Sequence, residues 1–85
     1  MTLTAETLTF DAFAEALFAE LELPPPGADP DTRLAEELGF DSVLLFELIL
    51  VIEDWTGVLL PEALLGQLVT VGDVYEVYRT RRAQR

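Results

Sequence analysis

At 85 residues the chain can bury one core and has no room for a second. Apolar residues make up 51% of it, enough for a packed interior and too many for a disordered chain. It contains no cysteine and no histidine, which excludes disulfides, thiolate metal sites and a Ser–His pair, and a net charge of −11 disfavours nucleic acid and membrane surfaces as partners.

The start, MTLTAETLTFDAFAEAL, lacks a basic segment before an apolar stretch and so does not have the form of a secretory signal; a cytoplasmic protein is expected. From Phe10 onward, Phe10, Phe13, Leu17 and Leu21 recur at helical spacing, widened by Ala14 and Phe18. This predicts an amphipathic helix with Thr7 or Thr9 as its N-cap. The run Leu23-Pro24-Pro25-Pro26-Gly27 is expected to stop it. A long loop follows, in which Asp29 and Asp31 suit turn formation better than calcium binding, because the glycine and closing glutamate of an EF-hand loop are missing. Leu34 and Leu38 then predict one helical turn that pins the loop to the core.

Gly39, Phe40, Asp41 and Ser42 lead into the most apolar part of the chain, VLLFELILVI, which is too short to cross a bilayer that needs roughly 20 residues. Ser42 is the expected N-cap of this second helix. Leu45, Leu48, Ile49 and Ile52 share one side, with Trp55 at its margin. The opposite side carries Val43, Glu47, Leu50, Val51 and Asp54, with Leu44 and Phe46 at the borders. A small protein needs one buried face of such a helix, so the second reads as a docking surface that mixes apolar and acidic groups. Thr56-Gly57 ends the helix, and Pro61 opens a segment of at most two turns with Leu64, Leu65 and Leu68 inward. Thr70 and Asp73 form a capping box for the last helix, whose core stripe is Val71, Val74, Tyr75 and Tyr78. Arg79, Arg81, Arg82 and Arg85 at its end complement the helix dipole. The expected fold is all-α: one domain over residues 1–85 with a core from about 8 to 80, three principal helices plus one or two short ones, and a long loop between the first and second.

From Asp31 to Tyr78 the chain resembles the acyl carrier proteins and the related peptidyl carrier domains. The likeness rests on Leu34…Leu38-Gly39-Phe40-Asp41-Ser42-Val43, on Glu47-Leu48 and Ile52-Glu53, on Thr56-Gly57-Val58-x-Leu60-Pro61, and on Thr70-Val71, all in register without a gap. The resemblance implies that Ser42 is the serine to which a phosphopantetheinyl transferase attaches 4′-phosphopantetheine from coenzyme A. The terminal thiol of that arm would hold an acyl or aminoacyl group as a thioester. Asp41 matches the neighbouring acid used in recognition, and Val43, Leu44, Glu47, Leu50, Val51 and Asp54 lie on the helix where partner enzymes dock. Those partners would include an acyltransferase or adenylate-forming ligase that loads the arm, and a ketosynthase or other enzyme that acts on the cargo.

A chain without cysteine or histidine fits such a role, because the thiol and the base must both come from outside. No autonomous catalysis, metal or stable oligomer is expected. Leu44, Leu50 and Val51 make the second helix more apolar than in fatty-acid carriers, which usually have an acid at the position of Leu44. This departure, and five arginines with no lysine, lean toward a discrete carrier for polyketide or hybrid polyketide–nonribosomal peptide synthesis. A peptidyl carrier, or a helical interaction module that carries nothing, is the alternative.

Overall fold

Thr9 begins the first helix: its hydroxyl accepts the amide of Ala12 at 3.2 Å, one of the donors a helix start leaves without a partner. The computed structural model describes residues 8–24, 27 and 29–83, so Thr7, the other candidate cap, lies outside the described residues. Helix α1 spans Phe10–Glu20 and buries Phe13, Ala14, Leu17 and Phe18, the stripe expected from their spacing. Its end differs from expectation. The helix has already stopped when it reaches the prolines, because Glu22 adopts a left-handed conformation (φ 61°). The Glu22 amide bonds to the Ala19 carbonyl and the Leu23 amide to that of Phe18, a Schellman closure without the usual glycine.

Asp29 organises the loop that follows, as its turn chemistry suggests. Its side chain accepts from the Asp31 amide at 2.9 Å and the Thr32 hydroxyl at 3.2 Å. The loop is then strapped to the start of the last helix. The Pro30 and Thr32 carbonyls accept the amides of Gly72 and Val71, and the Leu34 amide donates to Val69, each at 2.9 Å. Arg33 and Thr70 form an isolated antiparallel bridge. Residues 33–38 make a hydrogen-bonded turn, with the Glu37 and Leu38 amides on the Arg33 carbonyl, and not a helix. Leu34 is buried by it and Leu38 half-buried.

Helix α2 spans Ser42–Thr56 and buries Leu48, Ile49, Ile52 and Thr56. Each large aliphatic side chain removed from water in this way stabilises the fold by about 1.5–3 kcal/mol. Gly57 closes the helix in the left-handed region (φ 73°), and Thr56 satisfies its buried hydroxyl by donating to the Ile52 carbonyl at 2.8 Å. Glu53 reaches past the helix end to accept the Leu60 amide at 2.8 Å. Pro61 then leads into a 3₁₀ helix, Glu62–Gln67, and here Leu64 and the following Leu68 are buried while Leu65 is half-buried.

Helix α3 spans Val71–Ala83. The capping box is present: the Asp73 amide donates to the Thr70 hydroxyl at 3.1 Å, and the Asp73 carboxylate accepts the amides of Thr70 and Val69 at 3.0 Å. Val71, Val74 and Tyr78 are fully inside. At the far end of the bundle Phe13 lies 4.9 Å from Tyr78 between ring centroids, and Trp55 meets both edge-on at about 6 Å. The Tyr78 hydroxyl is buried in this cluster without a hydrogen-bond partner. Among the described residues there are thus three α-helices and one 3₁₀ helix, with no strand beyond the single bridge, and no helix long and apolar enough to cross a membrane.

Candidate functional site

The mouth of α2 is set by the three residues before it. Gly39 takes a left-handed conformation (φ 74°), which side-chain-bearing residues resist. That reversal sends Phe40 inward, where it is 4% exposed and its ring sits 5.8 Å from that of Phe18. The Phe40 amide donates to the Leu34 carbonyl at 2.9 Å, which ties the mouth to the strapped loop. The chain therefore arrives at Asp41 and Ser42 from a fixed point, with both on the surface.

The cap is Asp41 and not Ser42. The Asp41 carboxylate accepts the Leu44 amide at 2.8 Å, and its carbonyl accepts the Leu45 amide at 3.0 Å. Ser42 is the first helical residue. Both side chains cap well, but the carboxylate brings a full negative charge to the positive end of the helix dipole, and this favours the aspartate. Among the described residues, the Ser42 hydroxyl is left exposed with no hydrogen bond to make. The chain has no histidine to activate it, and the adjacent Asp41 carboxylate is engaged as the helix cap. An exposed, unactivated hydroxyl is an acceptor for a group brought by another enzyme and a poor nucleophile by itself.

The surroundings suit a phosphodiester on that oxygen. With the Leu44 amide taken by Asp41, the amides of Ser42 and Val43 remain without an intrahelical partner at the positive end of the dipole. Phosphate placed on Ser42 would meet these donors. It would also meet the nearby Asp41 carboxylate, whose charge opposes free phosphate there.

The face behind Ser42 divides differently from the helical wheel. Val43 (66% exposed), Phe46 (49%) and Leu50 (47%) form an open apolar row at i, i+3 and i+7. Glu47 and Asp54 are exposed beside that row, whereas Leu44 and Val51 are half-buried against the core. Phe46 was expected only at a border, although its spacing from Val43 and Leu50 puts it in the row. Leu44, expected at the other border, and Val51, expected on the open face, are both half-buried because each packs against the core cluster.

These features accord with what the chain is similar to. Residues 11–77 match the family model described as the phosphopantetheine attachment site. The acyl carrier protein of Saccharopolyspora erythraea is 32% identical over 68 residues, covering 80% of this chain and 72% of that protein. That of a Sulfurovum species is 30% identical over 64 residues, 75% of this chain and 85% of that one. A third, from Wolinella succinogenes, is 27% identical over 73 residues, 86% and 96% of the two chains.

Proposed function

Since the chain belongs to the acyl carrier protein family, whose members bear 4′-phosphopantetheine covalently and carry cargo without catalysing its chemistry, we propose that Ser42 is the attachment point and that the chain forms one carrier domain. The observation that carries this reading is the division of labour at the mouth of α2: Asp41 caps the helix, so the Ser42 hydroxyl is free and exposed. In the attachment step the Ser42 oxygen forms a new bond to the phosphorus nearest the pantetheine of coenzyme A. The pyrophosphate linkage breaks, adenosine 3′,5′-bisphosphate leaves, and the serine proton goes to a base of the transferase. Once bound, the group supplies the thiol that the chain lacks and holds the cargo as a thioester.

Asp41, Val43, Glu47, Leu50 and Asp54, with Phe46 added and Leu44 and Val51 as its half-buried edge, form the surface on which the transferase, the loading enzyme and the cargo-processing enzymes dock. The open apolar row supports partners held more by apolar contact than by charge. A cytoplasmic, monomeric carrier in polyketide or hybrid peptide synthesis is the setting these features favour, with an acyltransferase or ligase upstream and a ketosynthase downstream.

Incubation with a broad-specificity phosphopantetheinyl transferase and coenzyme A, followed by intact-mass measurement, tests the reading. One phosphopantetheinyl group should be gained by the native chain and none by Ser42→Ala. A native chain that stays bare would leave only the non-carrying interaction module.

A further inference from the structure

A cleft of about 230 Å³ lies between the turn after the long loop and the end of the 3₁₀ segment, lined by Arg33, Ala35, Glu36, Leu68 and Val69. Its floor is apolar, with Leu68 buried. Its lip is an ion pair, Arg33 Nη1 to Glu36 Oε1 at 2.7 Å, with both side chains more than half exposed. The two walls are tied together. The Leu34 amide donates to the Val69 carbonyl, the Val69 amide donates to Asp73, and Arg33 bridges to Thr70. The cleft is therefore preformed and needs no rearrangement to be filled.

Its distance from Ser42 is bounded by the chain. Ser42 is two residues from Phe40, whose amide is bonded to the carbonyl of Leu34, and Leu34 sits between two lining residues. The path is no longer than about 15 Å. A phosphopantetheine arm matches an extended peptide of four to five residues, again roughly 15 Å. An arm attached at Ser42 is therefore long enough to reach the lining residues beside Leu34.

The chemistry of the lip narrows what enters. A carboxylated group would meet Glu36 together with Glu37, which accepts the Arg33 amide at 3.0 Å; an ammonium would meet the Arg33 guanidinium. A neutral amide offers a carbonyl to Arg33, which uses one of its five donors on Glu36, and an N–H to the carboxylate. The arm contains two amides and a gem-dimethyl group, which matches the mixed lip and the apolar floor together. We propose that this cleft is the resting site of the arm itself, with Arg33 and Glu36 holding an amide of the arm and Leu68 and Val69 contacting its apolar part. The proposal rests on attachment at Ser42.

The absence of cysteine makes the arm's thiol the sole thiol of the modified chain, so its alkylation by iodoacetamide reports the arm alone. An arm resting about 80% of the time reacts about fivefold more slowly than free pantetheine. The double variant Arg33→Gln/Glu36→Gln keeps the net charge, and Val69→Ser changes only a half-exposed wall; both should return the rate to that of free pantetheine, with the fold checked by circular dichroism. Amide chemical shifts at Ala35, Leu68 and Val69 should differ between the unmodified and modified native chain. A native thiol that reacts at the free rate overturns the proposal, as do protection that survives in the variants and shift changes confined to the neighbours of Ser42. A chain that gains no phosphopantetheine fails at the mass measurement, before any thiol is assayed, and then the carrier reading falls and takes the resting site with it.

Discussion

Replacing Gly72 with alanine tests the strap that joins the long loop to α3. The substitution looks favourable in isolation, because alanine exceeds glycine in helix propensity by about 1 kcal/mol. Here a Cβ would lie 2.7 Å from the Pro30 carbonyl oxygen and 3.0 Å from the Pro30 Cβ. The nearest atom is backbone, and the same carbonyl accepts the Gly72 amide, so the loop must shift to relieve the clash. That shift weakens two hydrogen bonds, Gly72 to Pro30 and Val71 to Thr32, each contributing about 1 kcal/mol. Overpacking adds roughly 1–3 kcal/mol. After the propensity gain is subtracted, a net destabilisation of about 1–3 kcal/mol remains, a fall in Tm of roughly 5–15 °C for a domain of this size. Urea unfolding followed by the fluorescence of Trp55, the single tryptophan, measures it directly. Gly66→Ala is the matched control, since nothing lies within 4 Å of a Cβ there; it should be neutral or mildly stabilising. If Gly72→Ala proves as stable as the native chain, the loop is not clamped where the hydrogen bonds place it.

Asp41→Ala should cost about 1 kcal/mol in the same unfolding assay and slow phosphopantetheinylation, whereas Ser42→Ala should abolish modification and leave stability within about 0.5 kcal/mol. Tyr78→Phe removes a buried hydroxyl that has no partner and should be neutral or stabilising by up to about 1 kcal/mol; a loss of more than that would mean the phenol is satisfied after all. Phe46→Asp or Leu50→Asp should reduce turnover by docking enzymes without lowering Tm, while Leu44→Asp and Val51→Asp should lower both, because their side chains also pack on the core; equal turnover in the first pair would sink the apolar docking surface.

Local chemistry made part of this molecule legible in advance. Thr70 with Asp73, Gly57 at a helix end, and the 3.6-residue recurrence of Phe13, Leu17 and Val71, Val74, Tyr78 each act within a few residues of themselves, so spacing is enough to read them. Two adjacent residues that both cap well could not be ranked that way: the choice of Asp41 over Ser42 depends on where the backbone turns after Gly39. The end of α1 at Glu22 was hidden because glutamate gives no left-handed signal, while the three prolines beyond it do mark a stop. The carbonyls of Pro30 and Thr32, more than 35 positions from their donors, leave no mark in composition or period, since any residue supplies a backbone oxygen. Phe46 was placed at a border of the helical wheel, although its three-residue spacing from Val43 and four-residue spacing to Leu50 put it in the open row.

Among the described residues, the stitching of the long loop falls on Val69, Thr70 and the opening turn of the final helix and leaves its closing turns uninvolved. The setting of Ser42, tied through Phe40 and Leu34 to Val69, thus draws no backbone hydrogen bond from the described part of the arginine-bearing end. A fluorophore, affinity handle or neighbouring polypeptide joined there would sit about 20 Å along the helix from the strapped turn. Breathing of those last turns can proceed without loosening the tether.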